Sequence, residues 1–415
     1  MNIGLPRGVQ DILPEDIPYW HFVEETAKKI FKTYNYKEIR TPIFEYTELF
    51  TKGTGETTDI VMKEMYTFLD KKGRSLTLRP EGTPGVIRAF LINKIYNITP
   101  VWKVYYIGPM FRYERPQAGR YREFHQLGVE VLGRKDPYID FEIIKLAVEI
   151  LKELKLENLE VEINSLGCLK CRPTYRTALQ SYFYEYKDKL SPIDQERLER
   201  NPLRILDSKD EIAQELKEKA PQPLDYLCEE CKIHFDKVIS YLSLEKINYK
   251  ISPKLVRGLD YYTRTVFEII TSSLGAQNAI IGGGRYDNLV ETYGGPSTPG
   301  LGFAVGMERL LLLLKQQGCN IQTEPLIFIA IEKEEFIKEG INLSNQLRAS
   351  YRVEVGPPQE SLKTQLKWAD KLGSTIVIFL DENILENKIK VKNFIDGKEK
   401  IVPLTNITEE LKIML

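Results

Sequence analysis

Apolar residues recur at helical spacing over residues 14–35, over Glu81–Asn93 after the break at Pro80, and over Tyr138–Leu154. Each run predicts an amphipathic helix. Elsewhere the period falls to two, and Ile39–Phe44, Val101–Ile107 and Leu159–Asn164 read as strands. Strand patterning returns at TRTVFEIITS and at GAQNAIIGGGRYDNLV. After a Gly/Pro/Ser loop it returns once more at GLGFAVGMERLLLLL, which passes into a helix. From about Leu166 to Leu244 the alternation is lost. Charged helical segments, two cysteine pairs and the turn-rich NPLRILDSKD replace it, which predicts an inserted module. LKQQGCNIQTEP reads as a linker. Beyond it Leu326–Ile331, Arg352–Val355 and Thr375–Leu380 are short apolar strands alternating with helices, the pattern of a small autonomous α/β domain. Its helix ESLKTQLKWADKLG puts Leu362, Leu366, Ala369 and Leu372 on one stripe and Lys363, Lys367 and Lys371 on another. Taken alone, that lysine row is a solvated face.

One stretch departs from simple patterning. GPMFRYERPQAGRYREFHQLGVEVLG, Gly108–Gly133, reads as strand–loop–strand yet holds four arginines and three glutamates. Side chains alternate faces along a strand, so parity sorts them. Leu127, Val129 and Val131 share an apolar face. Phe124, Gln126, Gly128 and Glu130 lie opposite, on the side of Arg112 and Glu114 in the preceding segment. A solvated sheet surface would give this parity too. Two details favour a binding face. The stretch contains no lysine, while arginine stands at 112, 115, 120 and 122. The planar guanidinium suits phosphate or carboxylate, and Phe124 offers a surface on which a base can stack. TLRPEGT adds Arg79, Glu81 and Thr83 on one side of an extended segment. GLGFAVGMER places Gly300, Gly302 and Gly306 before Arg309 at a helix start, where anions are favoured. Helix packing would explain those glycines equally well.

Composition narrows the class without naming it. The 415-residue chain has 42% hydrophobic and 28% charged residues and a formal net charge of −1. That excludes a general electrostatic attraction to nucleic acid or anionic membrane, so any polyanion must be held by local patches. No apolar run approaches membrane-spanning length, Leu310–Leu314 being far too short, and MNIGLPRGVQDILPED lacks a secretory signal pattern. Five cysteines in this length do not make a disulfide scaffold. A cytoplasmic, reduced protein is expected. No GxxxxGK[ST] phosphate loop is present, and GLGFAVG lies within a strand, the wrong place for a dinucleotide-binding turn.

Taken together, these residues resemble a class II aminoacyl-tRNA synthetase. FRYE, a loop and RYREF match the second signature of that class through Arg112, Glu114, Arg120 and Phe124, and GLGFAVGMER matches the third, ending in Arg309. FKTYNYKEIRTP, with Pro42, is a candidate for the weak first signature. LVRGLDYYTRTVFEI and GGGRYDNLV are similar to strings of the histidyl-tRNA synthetase family, and the likeness runs the whole length. It implies an α/β (α+β) catalytic core: an antiparallel sheet flanked by helices, over 1–165 and 246–318. A mostly helical insertion would occupy 166–245, and a C-terminal α/β anticodon-binding domain 325–415.

The resemblance also implies roles. The family joins L-histidine to ATP, giving histidyl-adenylate and pyrophosphate, then transfers histidine to the 3′-terminal adenosine of tRNA(His). Arg112 would hold the α-phosphate and Arg309 the γ-phosphate. Phe124 would stack on adenine with Arg309 on its far side, and Glu114 and Arg120 would line the ATP site, with Mg²⁺ bridging the phosphates. Arg257 would contact the histidine carboxylate and the α-phosphate. Glu81, Thr83 and Gln126 would receive the α-ammonium group, while Glu130 and Tyr262, with Tyr261 beside them, would bond the imidazole. On the residues alone, the tyrosines read equally as half-buried core. Arg7 and Asp11, in LPRGVQD, resemble a family element to which no role is given. A homodimer is implied, with the first signature at its interface, and tRNA contacts would include the lysine row.

Cys168-Leu-Lys-Cys171 and Cys228-Glu-Glu-Cys231 suit a structural Zn²⁺, although the gap of about 56 residues exceeds the usual zinc-ribbon spacing. Free thiols or redox pairs remain open, and His234 is an alternative ligand. Cys319 reads as incidental. Two other functions compete: a histidine-sensing regulatory subunit of ATP phosphoribosyltransferase, and a sister class II synthetase. The first typically lacks the C-terminal domain and erodes the ATP-binding arginines. RGLDYYTRTVFE argues against the second.

Overall fold

The computed structural model describes residues 3–55, 58–271, 279–319, 321 and 324–415. They divide into two units, Met1–Asn320 and Ile321–Leu415.

The first unit carries strands β1 (Lys37–Glu38), β2 (Phe44–Tyr46), β3 (Thr67–Leu69), β4 (Ser75–Leu78), β5 (Trp102–Phe111), β6 (Glu123–Leu132), β7 (Leu159–Ser165), β8 (Tyr249–Ile251), β9 (Thr263–Thr271), β10 (Ala279–Arg285) and β11 (Gly300–Gly306). Eight of them form one sheet in the order β1-β5-β6-β11-β10-β9-β7-β8, and β2, β4 and β3 form a small separate one. Within the large sheet only β1–β5 and β7–β8 pair in parallel. Leu127, Val129 and Val131 of β6 join Phe267 and Ile269 of β9 and Phe303 and Val305 of β11 in the main core. The apolar stripes of the helices Ile17–Thr33, Pro137–Glu153 and Met307–Gln316 cover that face. The opposite face is covered in part by the helix Thr83–Ile92, whose Val86 packs on Val104, Tyr106 and Met110, and the rest of it is left for chemistry.

Patterning alone predicts one strand over Ile39–Phe44. The chain instead makes two short strands, β1 and β2, on either side of Pro42, which has no N–H to give a ladder. Residues Gly275–Asn278 of the expected strand before β10 lie outside the described residues, as do parts of the linker, Asn320, Gln322 and Thr323.

Between β7 and β8 the helices Arg172–Tyr184, Pro192–Arg200 and Glu211–Lys217 enclose a cluster of their own around Tyr175, Leu179, Phe183, Leu198 and Ile205. Ser191 and Asp210 cap two of these helices, accepting from Asp194 N and from Ile212 N and Ala213 N. The returning helix Glu229–Leu244 behaves differently. Its Phe235, Val238 and Leu242 enter the main core. Its His234 lies 3.1 Å from Asp140 Oδ1, and Asp140 pairs with the fully buried Arg285.

The second unit is a five-stranded sheet in the order β13-β12-β14-β15-β16, with β12 Leu326–Ile331, β13 Arg352–Val355, β14 Ile376–Leu380, β15 Lys388–Asn393 and β16 Glu399–Pro403. Apolar clusters cover both faces. Patterning predicts only the first three strands. In KIKVKN just Ile389 and Val391 are buried, and lysines fill the outward positions, so the apolar signal is thin. The helix Leu362–Lys371 keeps Lys363, Lys367 and Lys371 exposed as expected, but Leu372 is exposed too. Gln365 is buried instead and bonds the N–H and C=O of Ile331. A polar side chain can sit there because its amide completes backbone bonding that would otherwise go unmade.

Candidate active site

Two hydrogen-bonded neighbours, β6 and β11, with β10 beyond, bring distant segments onto the face opposite the main core. Gly306 pairs with Gln126, Gly302 with Glu130, and Gly282 with Ala304. A cleft on this face is lined by Arg112, Arg120, Phe124, Gln126, Arg257 and Arg309, with Glu114, Glu268 and Glu308 as its carboxylates. Arg112 lies just past the end of β5. Its Nε donates to the Pro80 carbonyl at 2.8 Å, and its guanidinium carbon sits 5.3 Å from the centre of the Phe124 ring. Arg120 reaches Glu114 at 3.1 Å. Arg309 donates to the Ala279 carbonyl at 2.6 Å. Burial and the nearby Arg120 charge lower the Arg309 pKa. Burial also works against the charge of Arg257, but Glu268, its ion-pair partner, together with Tyr262 and Asp207 outweighs that and raises its pKa.

Gln126 Oε1 is buried in this wall with no hydrogen-bond partner among the described residues. A lone buried acceptor costs about 1–3 kcal/mol unless something meets it, so the cleft contains a position waiting for a donor.

Beneath the cleft the character reverses from cationic to acidic. Glu81 is 5% exposed and accepts from Thr54 Oγ1 at 2.6 Å and from Tyr261 Oη at 2.8 Å. Glu130 is 1% exposed and accepts from Thr83 Oγ1 at 2.6 Å and from the Tyr286 and Tyr106 hydroxyls. Burial raises the pKa of Glu81, and it pushes Glu130 up to about 8 despite those three donors. Tyr262 is buried, and burial raises its pKa to about 12.

The glycines act through space. A Cβ at Gly302 would strike the Glu130 carboxylate, and one at Gly282 the Arg257 guanidinium. They make room for the protein's own charged groups.

Of the sequence-derived residues, Arg112, Glu114, Arg120, Phe124, Gln126, Arg257 and Arg309 line the cleft, Glu81, Thr83, Glu130, Tyr261 and Tyr262 form a mostly buried polar group of their own, and Arg79 and Arg122 lie apart from the cleft. Arg79 does not reach it: Nε and Nη1 are consumed by the carbonyls of Pro109 and Thr41. Arg122, unplaced by pattern alone, lies 3.8 Å over the Tyr113 ring, and its N–H donates to Gly8 O, so it ties the motif loop to LPRGVQD. Sequence reasoning missed Thr54, Tyr106, Glu268, Tyr286 and Glu308. Glu308 accepts from the His125 N–H at 2.8 Å and so fixes the helix that presents Arg309. Tyr286 stood inside GGGRYDNLV, and Glu268 inside TRTVFEI. Nothing local distinguished them from strand residues.

The cysteine pairs also meet. The four Sγ atoms of Cys168, Cys171, Cys228 and Cys231 lie within 4.8 Å of one another. Cys168 Sγ is 3.7 Å from Cys171 Sγ and 3.9 Å from Cys228 Sγ. Thiolates about 2.3 Å from a tetrahedral zinc stand about 3.8 Å apart, so the donor set fits that ion. His234 is not among the four.

A family model described as histidyl-tRNA synthetase matches residues 8–310, and one described as an anticodon binding domain matches residues 326–413. The histidine–tRNA ligase of Dictyoglomus turgidum is 73% identical, over 99% of this chain and 100% of that protein. That of Dictyoglomus thermophilum is 72% identical over 100% of each. Among solved structures, apo histidyl-tRNA synthetase from S. aureus is similar with a TM-score of 0.83 at 38% identity, covering 98% of this chain and 99% of that one. The chain belongs to the histidyl-tRNA synthetase family.

Proposed function

We propose that the chain activates L-histidine with ATP and transfers it to the 3′-terminal adenosine of tRNA(His). The carrying observation is the adjacency of an arginine-lined cleft to two buried carboxylates. Such a site receives a polyphosphate on one side and a small cationic, two-nitrogen side chain on the other. The histidine carboxylate attacks the α-phosphorus, the bond to the β-phosphate oxygen breaks, and pyrophosphate leaves. No nucleophilic side chain is required. The five-coordinate phosphorus gathers negative charge, and Arg112 and Arg257 supply fixed positive charge beside it. Arg309 holds the γ-phosphate, Phe124 stacks on adenine, and Glu114 and Arg120 complete the ATP site.

Histidine sits below with its α-ammonium against Glu81, Thr83 and Gln126. The unpartnered Gln126 Oε1 supports that placement. Glu130 and Tyr262 take the imidazole nitrogens, and Tyr261 buttresses Glu81. A buried pair of polar partners rejects side chains lacking both nitrogens by roughly 10⁴-fold. Glu114 and Glu268 offer the hard oxygens that suit Mg²⁺, which when bound neutralises phosphate charge. The four cysteines hold Zn²⁺.

The catalytic core spans 1–165 and 246–318, with 166–245 as an insertion and 325–415 reading the anticodon region. A role in protein synthesis places the enzyme in the cytoplasm, and among the described residues no helix is long and apolar enough to cross a membrane. Two copies pair. The exposed Phe44, Tyr46, Phe68 and Leu69 of the small sheet support such an interface.

ATP–pyrophosphate exchange with each amino acid in turn tests the reading. Exchange with histidine alone is expected. Its absence would favour the regulatory alternative, against which the four clustered arginines speak.

A further inference from the structure

The four-cysteine cluster stands where the insertion leaves and rejoins the main sheet. Cys168 and Cys171 follow the end of β7 at Ser165, and Cys171 stands at the position just before the helix Arg172–Tyr184. Cys228 and Cys231 begin the returning helix Glu229–Leu244. Cys171 Sγ accepts from the Cys228 N–H at 3.1 Å, the kind of backbone bond that stabilises a thiolate ligand. Gly167, at φ +68°, is needed there, because a Cβ would press on the Cys171 side chain. Sulfurs 3.7–3.9 Å apart are not disulfides, and all four cysteines are free.

The ligand turn sets the origin of the next residue, Arg172. Its guanidinium reaches back to the carbonyls of Asp260, at 3.4 Å, and Tyr262. Two further insertion residues grip the same segment. Arg204 donates to Gly258 O at 2.9 Å and to Asp260 Oδ1 at 2.9 Å, and Asn201 donates to Asp260 Oδ1 at 3.1 Å. The opposite side of that segment carries Tyr261, bonded to Glu81, and the buried Tyr262. From the other arm, Arg264 bonds Glu230, next to Cys231, and its backbone exchanges bonds with Leu166 and Gly167. Segment 258–262 is thus held between the insertion and the amino-acid pocket.

We infer that a zinc ion on Cys168, Cys171, Cys228 and Cys231 acts as a positioning element for histidine recognition, by fixing Arg172 under the carbonyls of Asp260 and Tyr262. The inference rests on the histidine-binding and zinc readings above. Arg172 touches no substrate. It acts through the backbone that aims Tyr261 and Tyr262.

The test uses the full-length protein. Elemental analysis of the native protein is expected to find one zinc per chain. Removing it with a chelator is expected to weaken histidine binding about tenfold, as removal of an outer supporting group does, with ATP binding changed less than about twofold, and zinc re-addition restores it. Cobalt substitution is expected to give the thiolate charge-transfer band of a tetrahedral site. Arg172→Lys is expected to retain the metal yet raise KM for histidine with little change in kcat, accompanied by faster hydrogen exchange over 258–262. Zinc at one per chain with histidine binding indifferent both to its removal and to Arg172→Lys overturns the positioning role and leaves the metal. Substoichiometric zinc, with the fold intact after chelation, overturns the metal itself. Native protein that exchanges pyrophosphate with no amino acid overturns the synthetase reading instead, a result distinct from either.

Discussion

The two halves of the site solve opposite problems. On the nucleotide side the cations stay partly open to water: the Arg120 side chain is 41% exposed, and Arg112, Arg257 and Arg309 are only part-buried. On the amino-acid side Glu81 and Glu130 are almost wholly buried. A highly charged triphosphate brings its own field and needs several fixed cations, none of which has to be desolvated completely. A small amino acid must be told from nineteen others, and that discrimination comes from buried polar groups whose bonds only the right ligand completes.

Breaking the charge at the junction of the two halves is expected to cost most. Arg257→Gln should lower kcat for histidine-dependent exchange by about 10²–10³-fold with smaller changes in either KM, the scale for losing one fixed stabilising group. Steady-state kinetics at saturating ATP and histidine decide it, and unchanged kcat would remove Arg257 from the chemistry.

Next is Glu130→Gln, expected to weaken histidine binding about 100-fold while ATP binding shifts less than about threefold. Direct titration of both ligands separates the halves. The same variant carries a pH signature. Burial raises the Glu130 pKa to about 8, so the folded protein holds a proton that the unfolded chain releases nearer 4.5. Its contribution to stability is therefore complete below about pH 4.5, declines by about 1.4 kcal/mol per pH unit as pH rises, and is gone above about 8. Urea unfolding of the ligand-free protein at pH 5, 6.5 and 8.5 should show that decline in wild type and a shallower one in Glu130→Gln.

Phe124→Leu addresses only the nucleotide half. Loss of stacking worth about 1–3 kcal/mol should raise KM for ATP about five- to 150-fold and leave histidine binding nearly unchanged. The smallest effect on the cleft belongs to charge reversal of Lys363, Lys367 and Lys371. It should leave pyrophosphate exchange untouched, weaken tRNA binding, and flatten its salt dependence by roughly 0.7–0.9 in slope for each phosphate that is no longer neutralised. An unaltered slope would return that row to the role of a solvated face.

The nucleotide half was legible because its residues fall in two short strings, FRYE to RYREF and GLGFAVGMER, where parity and local spacing already place them together. The amino-acid half was less so. Tyr261 meets Glu81 across 180 positions of sequence and Tyr286 meets Glu130 across 156. Thr54 and Tyr106 belonged to no motif, and Tyr286 and Glu268 lay in recognisable strings without a role. Arg79 illustrates the opposite failure. It has the right residue type and neighbours, yet nearby backbone carbonyls claim its donors.

By itself, the order of residues determined what travels locally: helix and strand periods, the change to short α/β patterning in the second unit, the motif strings that mark the family, and cysteine pairs of metal-binding spacing. Tertiary structure alone decided which carboxylates are stripped of water, which arginines face the cleft, which glycines yield space to charged neighbours, and that four sulfurs converge beside the segment carrying Tyr261 and Tyr262. Burial and hydrogen-bond pairing arise between segments far apart in the chain. A residue's own neighbours in sequence cannot specify them.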